Sequence, residues 1–255
     1  MITEEFNKSL TISASKRTVQ RTLHYYGFYS RVAKRKPLVS EKNKKDRVLW
    51  CKNVKDWKEE WDRVIFSDES RYLLFKNDAH KLVWRLSDEK YKEDCLAPTV
   101  KHSEGVMVWG CFCKDRLGPL IWVEGNINAT KYKQILRAHL LPYLQGLGNE
   151  TYIFQDDNAP CHTARPVRTW KESQSINSLE WPSQSPDLNP IEHLWDELER
   201  RVRRNKFRPK NKAELFAALK REWDQIQSDV IVKLVDSMPR RVKAVLKSKG
   251  GATPY

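Results

Sequence analysis

The stretch Trp181-Pro182-Ser183-Gln184-Ser185-Pro186-Asp187-Leu188-Asn189-Pro190-Ile191-Glu192 ends with an acid just inside a helix start. Asn189 suits the N-cap and Pro190 the opening of the helix, so the Glu192 side chain can reach back toward a sheet. Thirty-four residues separate it from Asp157, which closes the run Thr151-Tyr152-Ile153-Phe154-Gln155-Asp156-Asp157-Asn158. A third acid, Asp68, closes Val64-Ile65-Phe66-Ser67-Asp68-Glu69-Ser70. Both Asp residues follow an apolar strand, and in an open α/β sheet functional groups gather where strands end. Two strand-end acids and one helix acid describe a divalent-metal site, because hard oxygen ligands leave positions open for phosphate and water. Like charges at such distance repel unless a cation neutralises them, so the three carboxylates are expected to converge within a few ångströms. Taken singly, each acid also fits a structural role: a turn residue for Asp68 or Asp157, a helix-dipole partner for Glu192.

Working outward, Lys and Arg number 47 against 33 Asp and Glu, a net charge of +14 that favours a polyanion such as nucleic acid through counterion release. Five scattered cysteines lack the paired spacing of a zinc module and read as reduced thiols. Cys111 and Cys113, two apart in an apolar strand, share one face and read as packing residues. With no long apolar run and a polar start, the reading is a soluble protein that is not exported, with no membrane partner.

The period of the apolar residues sets the organisation. Residues 13–29 predict a short helix with Ser15 as N-cap, Val19, Leu23 and Tyr26 on one face, and Gly27 as stop. Its polar side carries Lys16, Arg17, Gln20 and Arg21, placed as in the recognition helix of a helix-turn-helix, although a generic surface helix reads the same way. Lys34, Arg35 and Lys36 follow in a basic linker that would track phosphates or serve nuclear import, so a nuclear location is expected. After a helix from Ser40 to about Trp57, strands at 63–67, 71–76, 82–86, 105–113 and 118–124 predict an antiparallel meander. Helices at about 130–144 and 163–173, strands at 151–156 and 177–180, and a helix from Pro190 to about Arg204 then alternate, which argues a mixed sheet covered by helices. Two more helices are predicted at 211–226 and 229–248. Residues 1–37 are expected to form a partial helix-turn-helix segment with a basic linker, and 38–255 the domain that carries the three acids.

Phe66-Ser67-Asp68-Glu69-Ser70, Val106-Met107-Val108-Trp109-Gly110-Cys111-Phe112, Gln155-Asp156-Asp157-Asn158-Ala159-Pro160-Cys161-His162-Thr163 and Trp181 through Trp195 resemble, in this order, the catalytic domain of transposases of the Tc/mariner superfamily. The resemblance runs from about residue 13 onward, and the interval before Glu192 is similar to the Tc branch, the mariner branch ending in a third Asp. It implies a ribonuclease-H-like α/β fold, a mixed sheet flanked by helices and preceded by a partial helix-turn-helix. It also implies an Asp68, Asp157 and Glu192 triad holding two Mg²⁺ or Mn²⁺ ions. The substrates implied are double-stranded DNA at terminal inverted repeats and TA targets, whose pyrimidine–purine step unstacks easily, bound by a homodimer. In the family the catalytic Asp precedes Asn, which selects Asp157 over its neighbour Asp156. Alternation agrees, and it also turns Glu69 away from Asp68.

His162 reads as a helix cap, with contact to phosphate or metal as the alternative, and His193 as exposed. Trp109, Trp122, Trp181 and Trp195 read as core residues more than as stacking platforms for bases. Arg200, Arg201, Arg203 and Arg204 continue the helix that bears Glu192 and read as a DNA-backbone stripe. Relatives carry two helix-turn-helix modules, and this sequence begins within what resembles the second, so it reads as N-terminally truncated. A catalytically inactive DNA-binding remnant and a purely hydrolytic nuclease therefore stay open beside the transposase.

Overall fold

The computed structural model describes residues 5, 7–8, 13–30, 36, 38–74, 104–148, 151–204 and 209–255, and the chain divides into two units, Met1–Pro37 and Leu38–Tyr255. In the smaller unit Ser15 opens helix α1 (Lys16–Tyr25) by accepting the Thr18 amide at 3.1 Å. Gly27, at φ +80°, stops it, and the Phe28 N–H returns to the Leu23 carbonyl at 2.8 Å. Val19 is buried, but Tyr26 is 70% exposed and not on the apolar face as expected. It is the C-cap, with backbone angles outside the helical range, so it has left the helical spacing. Upstream, the Asn7 side chain bonds both backbone groups of Ala14.

The larger unit rests on four strands, β1 (Val64–Leu73), β2 (Gly105–Phe112), β3 (Leu117–Val123) and β4 (Ile153–Gln155), in the order β3-β2-β1-β4. The first three form an antiparallel meander, whereas β4 joins β1 in parallel. That parallel return requires a crossover, which the helices between β3 and β4 supply. This is a mixed, ribonuclease-H-like α/β sheet. The expected strands at 63–67 and 71–76 are one strand, because Ser67 through Arg71 all pair with β2, from Cys111 back to Met107. The polar run that read as a turn is held by that ladder. The expected strand at 82–86 lies outside the described residues, and the one at 177–180 is a single bridge from Ser178 to Phe154.

The helices are α2 (Glu41–Asn53), α3 (Ala129–Ile135), α4 (Leu141–Gly146), α5 (Pro160–Thr163), α6 (Arg165–Ser173), α7 (Ile191–Arg204), α8 (Lys212–Asp224), α9 (Ser228–Val235) and α10 (Met238–Lys247). Proline explains where they depart from the expected spans. A π turn over Leu136–Leu140 separates α3 from α4 just ahead of Pro142, and Pro239 lies in the first turn of α10, where the single helix expected over 229–248 is broken. No helix among the described residues is long and apolar enough to cross a membrane.

Strand alternation splits the core. Val64, Phe66 and Tyr72 pack with Leu194, Trp195, Leu219 and Trp223 of α7 and α8 on one face. Ile65, Trp109 and Cys111 pack with Tyr132, Leu136, Phe154 and Val167 on the other. Trp109, Trp181 and Trp195 are buried, and Trp122 is half-buried against Phe216, as core residues. Cys51, Cys111, Cys113 and Cys161 are free thiols.

A buried ion pair joins three distant segments. Arg47 of α2, 1% exposed, donates to both carboxylate oxygens of Asp187 at 2.8 Å, to the Ser185 hydroxyl at 2.9 Å, and to the Gly250 carbonyl at 3.0 Å. Thr253 adds a bond to Asp187 at 2.7 Å. The loop ahead of α7 is thus clasped between α2 and the last residues. Arg47→Ala would leave Asp187 without its countercharge, so a loss of about 3–5 kcal/mol is expected. Urea unfolding at neutral pH measures it; a midpoint equal to the parent's would show that the clasp contributes nothing.

Candidate active site

β1 and β4 pair directly at Phe66 and Gln155, and each candidate Asp stands two residues beyond that pair. Asp68 is therefore not at a strand end, as expected, but inside β1 opposite Gly110, because the β2 ladder carries β1 onward. What ends there is the parallel pairing. The Ser67 hydroxyl donates to the Gln155 carbonyl at 2.8 Å, holding the strands together at the point where they part.

The phase of each strand sorts the acids. Asp68 keeps the phase of Val64 and Phe66, toward α7, where Trp195 Nε1 donates to its Oδ2 at 3.1 Å. Gly110 makes room for that indole, since a Cβ there would lie 2.7 Å from the Trp195 ring. Asp157 stands two residues past the end of β4, exposed, with its Oδ1 turned to His162. Asp156 points to the opposite core, where Lys171 Nζ at 2.9 Å and the Tyr132 hydroxyl at 3.0 Å engage it. Its oxygens are spent in packing, whereas Asp157, whose side chain is half exposed, has only its Oδ1 engaged among the described residues.

Glu192 lies in the first turn of α7, behind Asn189, whose side chain accepts the Ile191 amide at 3.2 Å and donates to the Ser67 carbonyl at 3.1 Å. This residue ties the helix start to β1 beside Asp68. Burial pushes Asp68 up to about 8, and the charges of Glu192 and Glu69 add to it. Burial, then Asp196, raises Glu192, with a further contribution from Asp157 and an opposing one from Arg241. Burial alone would raise Asp157 as well, but His162 and the Ala159 amide outweigh it and hold its carboxyl below the usual range.

The three acids thus feel one another without converging as expected. Among the described residues no three or more His, Cys, Asp or Glu side chains come close enough to hold a metal ion. Their own charges explain the spacing, since Asp68 is drawn onto Trp195 and Asp157 onto His162. The donor set still suits a hard dication: three carboxylates linked through Glu192, whose charge acts on Asp68 and which feels that of Asp157, two of them with raised proton affinity that a cation would relieve.

Other expected site residues fall in different places. Lys16, Arg17, Gln20 and Arg21 are exposed on α1, and Lys36 is exposed, while Lys34 and Arg35 lie outside the described residues. The arginines of α7 are not a free stripe. Arg201 bonds Glu197 at 2.7 Å, and Arg203 bonds Glu199 at 2.9 Å and the Leu74 carbonyl at 3.2 Å, so these two brace the helix. Arg204 is exposed and Arg200 is 56% exposed beside Glu197. His162 does not cap a helix: it is buried inside α5 between Asp157 and Glu69. His193 is half-buried, with Nδ1 3.0 Å from Arg241. Trp195 read only as core, and Arg241 carried no signal, being one of several basic residues in a helical pattern.

The pH dependence of the metal-free protein follows from Asp68. A carboxyl whose folded pKa lies above its unfolded value holds its proton more tightly when folded, so its contribution is full below about pH 4 and is lost as pH rises toward 8. Asp68→Asn has no proton to lose. In the presence of a chelator, its stability relative to the parent should rise steadily between about pH 4 and 8 by urea unfolding. A difference that does not change with pH would mean that Asp68 ionises as an ordinary surface acid.

Comparison with known proteins identifies the family. The family described as DDE superfamily endonuclease matches residues 63–215, which include all three acids, and a family described as transposase matches residues 1–56. The Transposable element Tc1 transposase of Caenorhabditis elegans is 44% identical over 244 residues, covering 94% of this chain and 88% of that protein. The Tcb1 transposase of Caenorhabditis briggsae is 43% identical over 243 residues, with the same coverage. Among solved structures, the Mos1 transposase paired-end complex with left transposon end superposes with a TM-score of 0.84 at 18% identity, over 99% of this chain and 75% of that one. The Mos1 mariner paired end complex with Mn gives 0.82 at 20%, over the same shares. The chain belongs to the Tc1/mariner family of transposases, and its larger unit carries the DDE endonuclease domain.

Proposed function

We propose that this chain cleaves DNA at the terminal inverted repeats of its element and joins the ends to TA target sites. In this reading Asp68, Asp157 and Glu192 hold two Mg²⁺ or Mn²⁺ ions, and the protein acts as a homodimer on double-stranded DNA in the nucleus. The observation that carries it is the matched position of Asp68 and Asp157 beyond the Phe66–Gln155 pair, with Glu192 brought to the same side by Asn189. Supporting it, solved relatives of this fold are transposases on transposon ends, one of them with Mn.

When bound, the ions would supply a nucleophilic oxygen at neutral pH and a counter-charge for the leaving oxygen. The chain's residues do the positioning. Trp195 fixes one oxygen of Asp68, and Asn189 sets the height of Glu192 above β1. Arg241, buried and bonded to the Asp187 carbonyl at 2.7 Å, holds the loop before α7 and partly offsets the charge of Glu192. The net charge of +14 favours the DNA backbone, with the exposed basic residues of α1 and of the end of α7 reaching its phosphates.

Glu192→Gln keeps size but removes a ligand charge, so Mg²⁺-dependent cleavage of a duplex bearing the terminal repeats should fall by more than the ~10–100-fold that losing a ligand's supporting partner costs. Its DNA affinity should stay near the parent's. Cleavage at the parental rate would remove Glu192 from the site. If the parent binds the duplex but never cuts it with either ion, the DNA-binding remnant is the correct reading. Replacing Arg200 and Arg204 together by Ala spares the bracing arginines and should flatten the dependence of log K on log salt by up to about 2, roughly 0.9 for each phosphate no longer neutralised. An unchanged slope would place the DNA elsewhere.

A further inference from the structure

His162 joins two acids that the sheet separates. Glu69 takes the opposite phase of β1 from Asp68, toward the core around Tyr132, yet one imidazole reaches both Glu69 and Asp157. His162 is 4% exposed, with Nδ1 2.6 Å from Asp157 Oδ1 and Nε2 3.2 Å from Glu69 Oε1. Its ring stacks on Tyr132 with centroids 3.9 Å apart. Both ring nitrogens are thus engaged within the protein, one by each acid.

Both hydrogen bonds to Asp157 end on the same oxygen. The Ala159 amide donates to Oδ1 at 2.9 Å, as His162 does at 2.6 Å, and among the described residues no donor meets Oδ2. The carboxylate would otherwise swing freely, for its side chain is half exposed. Two donors on one oxygen restrain that rotation and leave the other oxygen without a donor among the described residues. Glu69 has a part in this, because it meets the other ring nitrogen of His162 and so fixes the ring's orientation.

We infer that Glu69 and His162, backed by Tyr132, form a clamp that presents Oδ2 of Asp157 to the divalent ion, His162 being a positioning residue and not a ligand. The inference rests on the proposed metal role of Asp157. Replacing groups that orient a ligand in this way typically costs about 10–100-fold in metal affinity.

Mn²⁺ binding to the full chain without DNA, read from the electron paramagnetic resonance signal of free Mn²⁺, tests it. His162→Ala should weaken binding by about tenfold or more. His162→Asn, whose amide nitrogen stands near the place of Nδ1, should recover most of that loss, and Glu69→Gln should fall between. Both His162 variants lose the stack on Tyr132, so a merely structural role would give them the same Mn²⁺ affinity and the same drop in unfolding midpoint. Equal affinities for the two, at the parent's value or below it, would overturn the clamp. Should the His162 variants not fold, Glu69→Gln decides, and parental affinity there overturns it. A parent that does not bind Mn²⁺, or an Asp157→Asn variant that binds like the parent, overturns the metal-site reading itself and this inference with it.

Discussion

Three residues of parallel pairing set the geometry of this site. Val64, Ile65 and Phe66 pair with Ile153, Phe154 and Gln155, and there the two strands part. Parallel neighbours run in phase, so Asp68 and Asp157 stand equal steps beyond one pair. The same phase sends Glu69 and Asp156 to the other face, where His162, Lys171 and Tyr132 receive them. A one-residue slip would exchange the two sets. Gln155 secures the register, with its carbonyl accepting from the Ser67 hydroxyl and its Oε1 from the Ser67 amide.

Electrostatics then decides how the acids are held. Neighbouring carboxylates repel one another, and two of these are restrained by donors from different elements. Trp195 of α7 holds Asp68, and His162 of α5 holds Asp157. The cost appears as raised proton affinity at Asp68 and Glu192. Protons and metal ions would relieve the same repulsion, which is why the proposed function assigns divalent ions to these acids.

The third acid depends on a longer chain of interactions. Glu192 follows a loop with no regular structure apart from the 3₁₀ turn Pro186–Leu188, and such a loop keeps one shape only if its polar groups are met. Arg47 from α2 and Arg241 from α10 meet them from either side, and Thr253 closes the clasp. Residues more than fifty positions away thus set where the helix starts.

The sequence by itself was enough for the kind of protein, the order of its elements and the three candidate acids. Apolar periodicity is a local property, and the strands before Asp68 and Asp157 and the Asn189-Pro190 helix start are written in adjacent residues. The charge balance likewise needs no fold to be read. Only the tertiary structure decided that Asp68 lies within a continuous strand, since the Ser67-Asp68-Glu69-Ser70-Arg71 run looks like a turn until β2 pairs with it. It also turned His162 from a cap into a bridge, Trp195 from filling into a donor, and two of the four α7 arginines from a binding stripe into braces. The physical reason is the same in each case. A side chain's partners come from segments distant in sequence, and no periodicity within its own segment records which segments the fold will bring beside it.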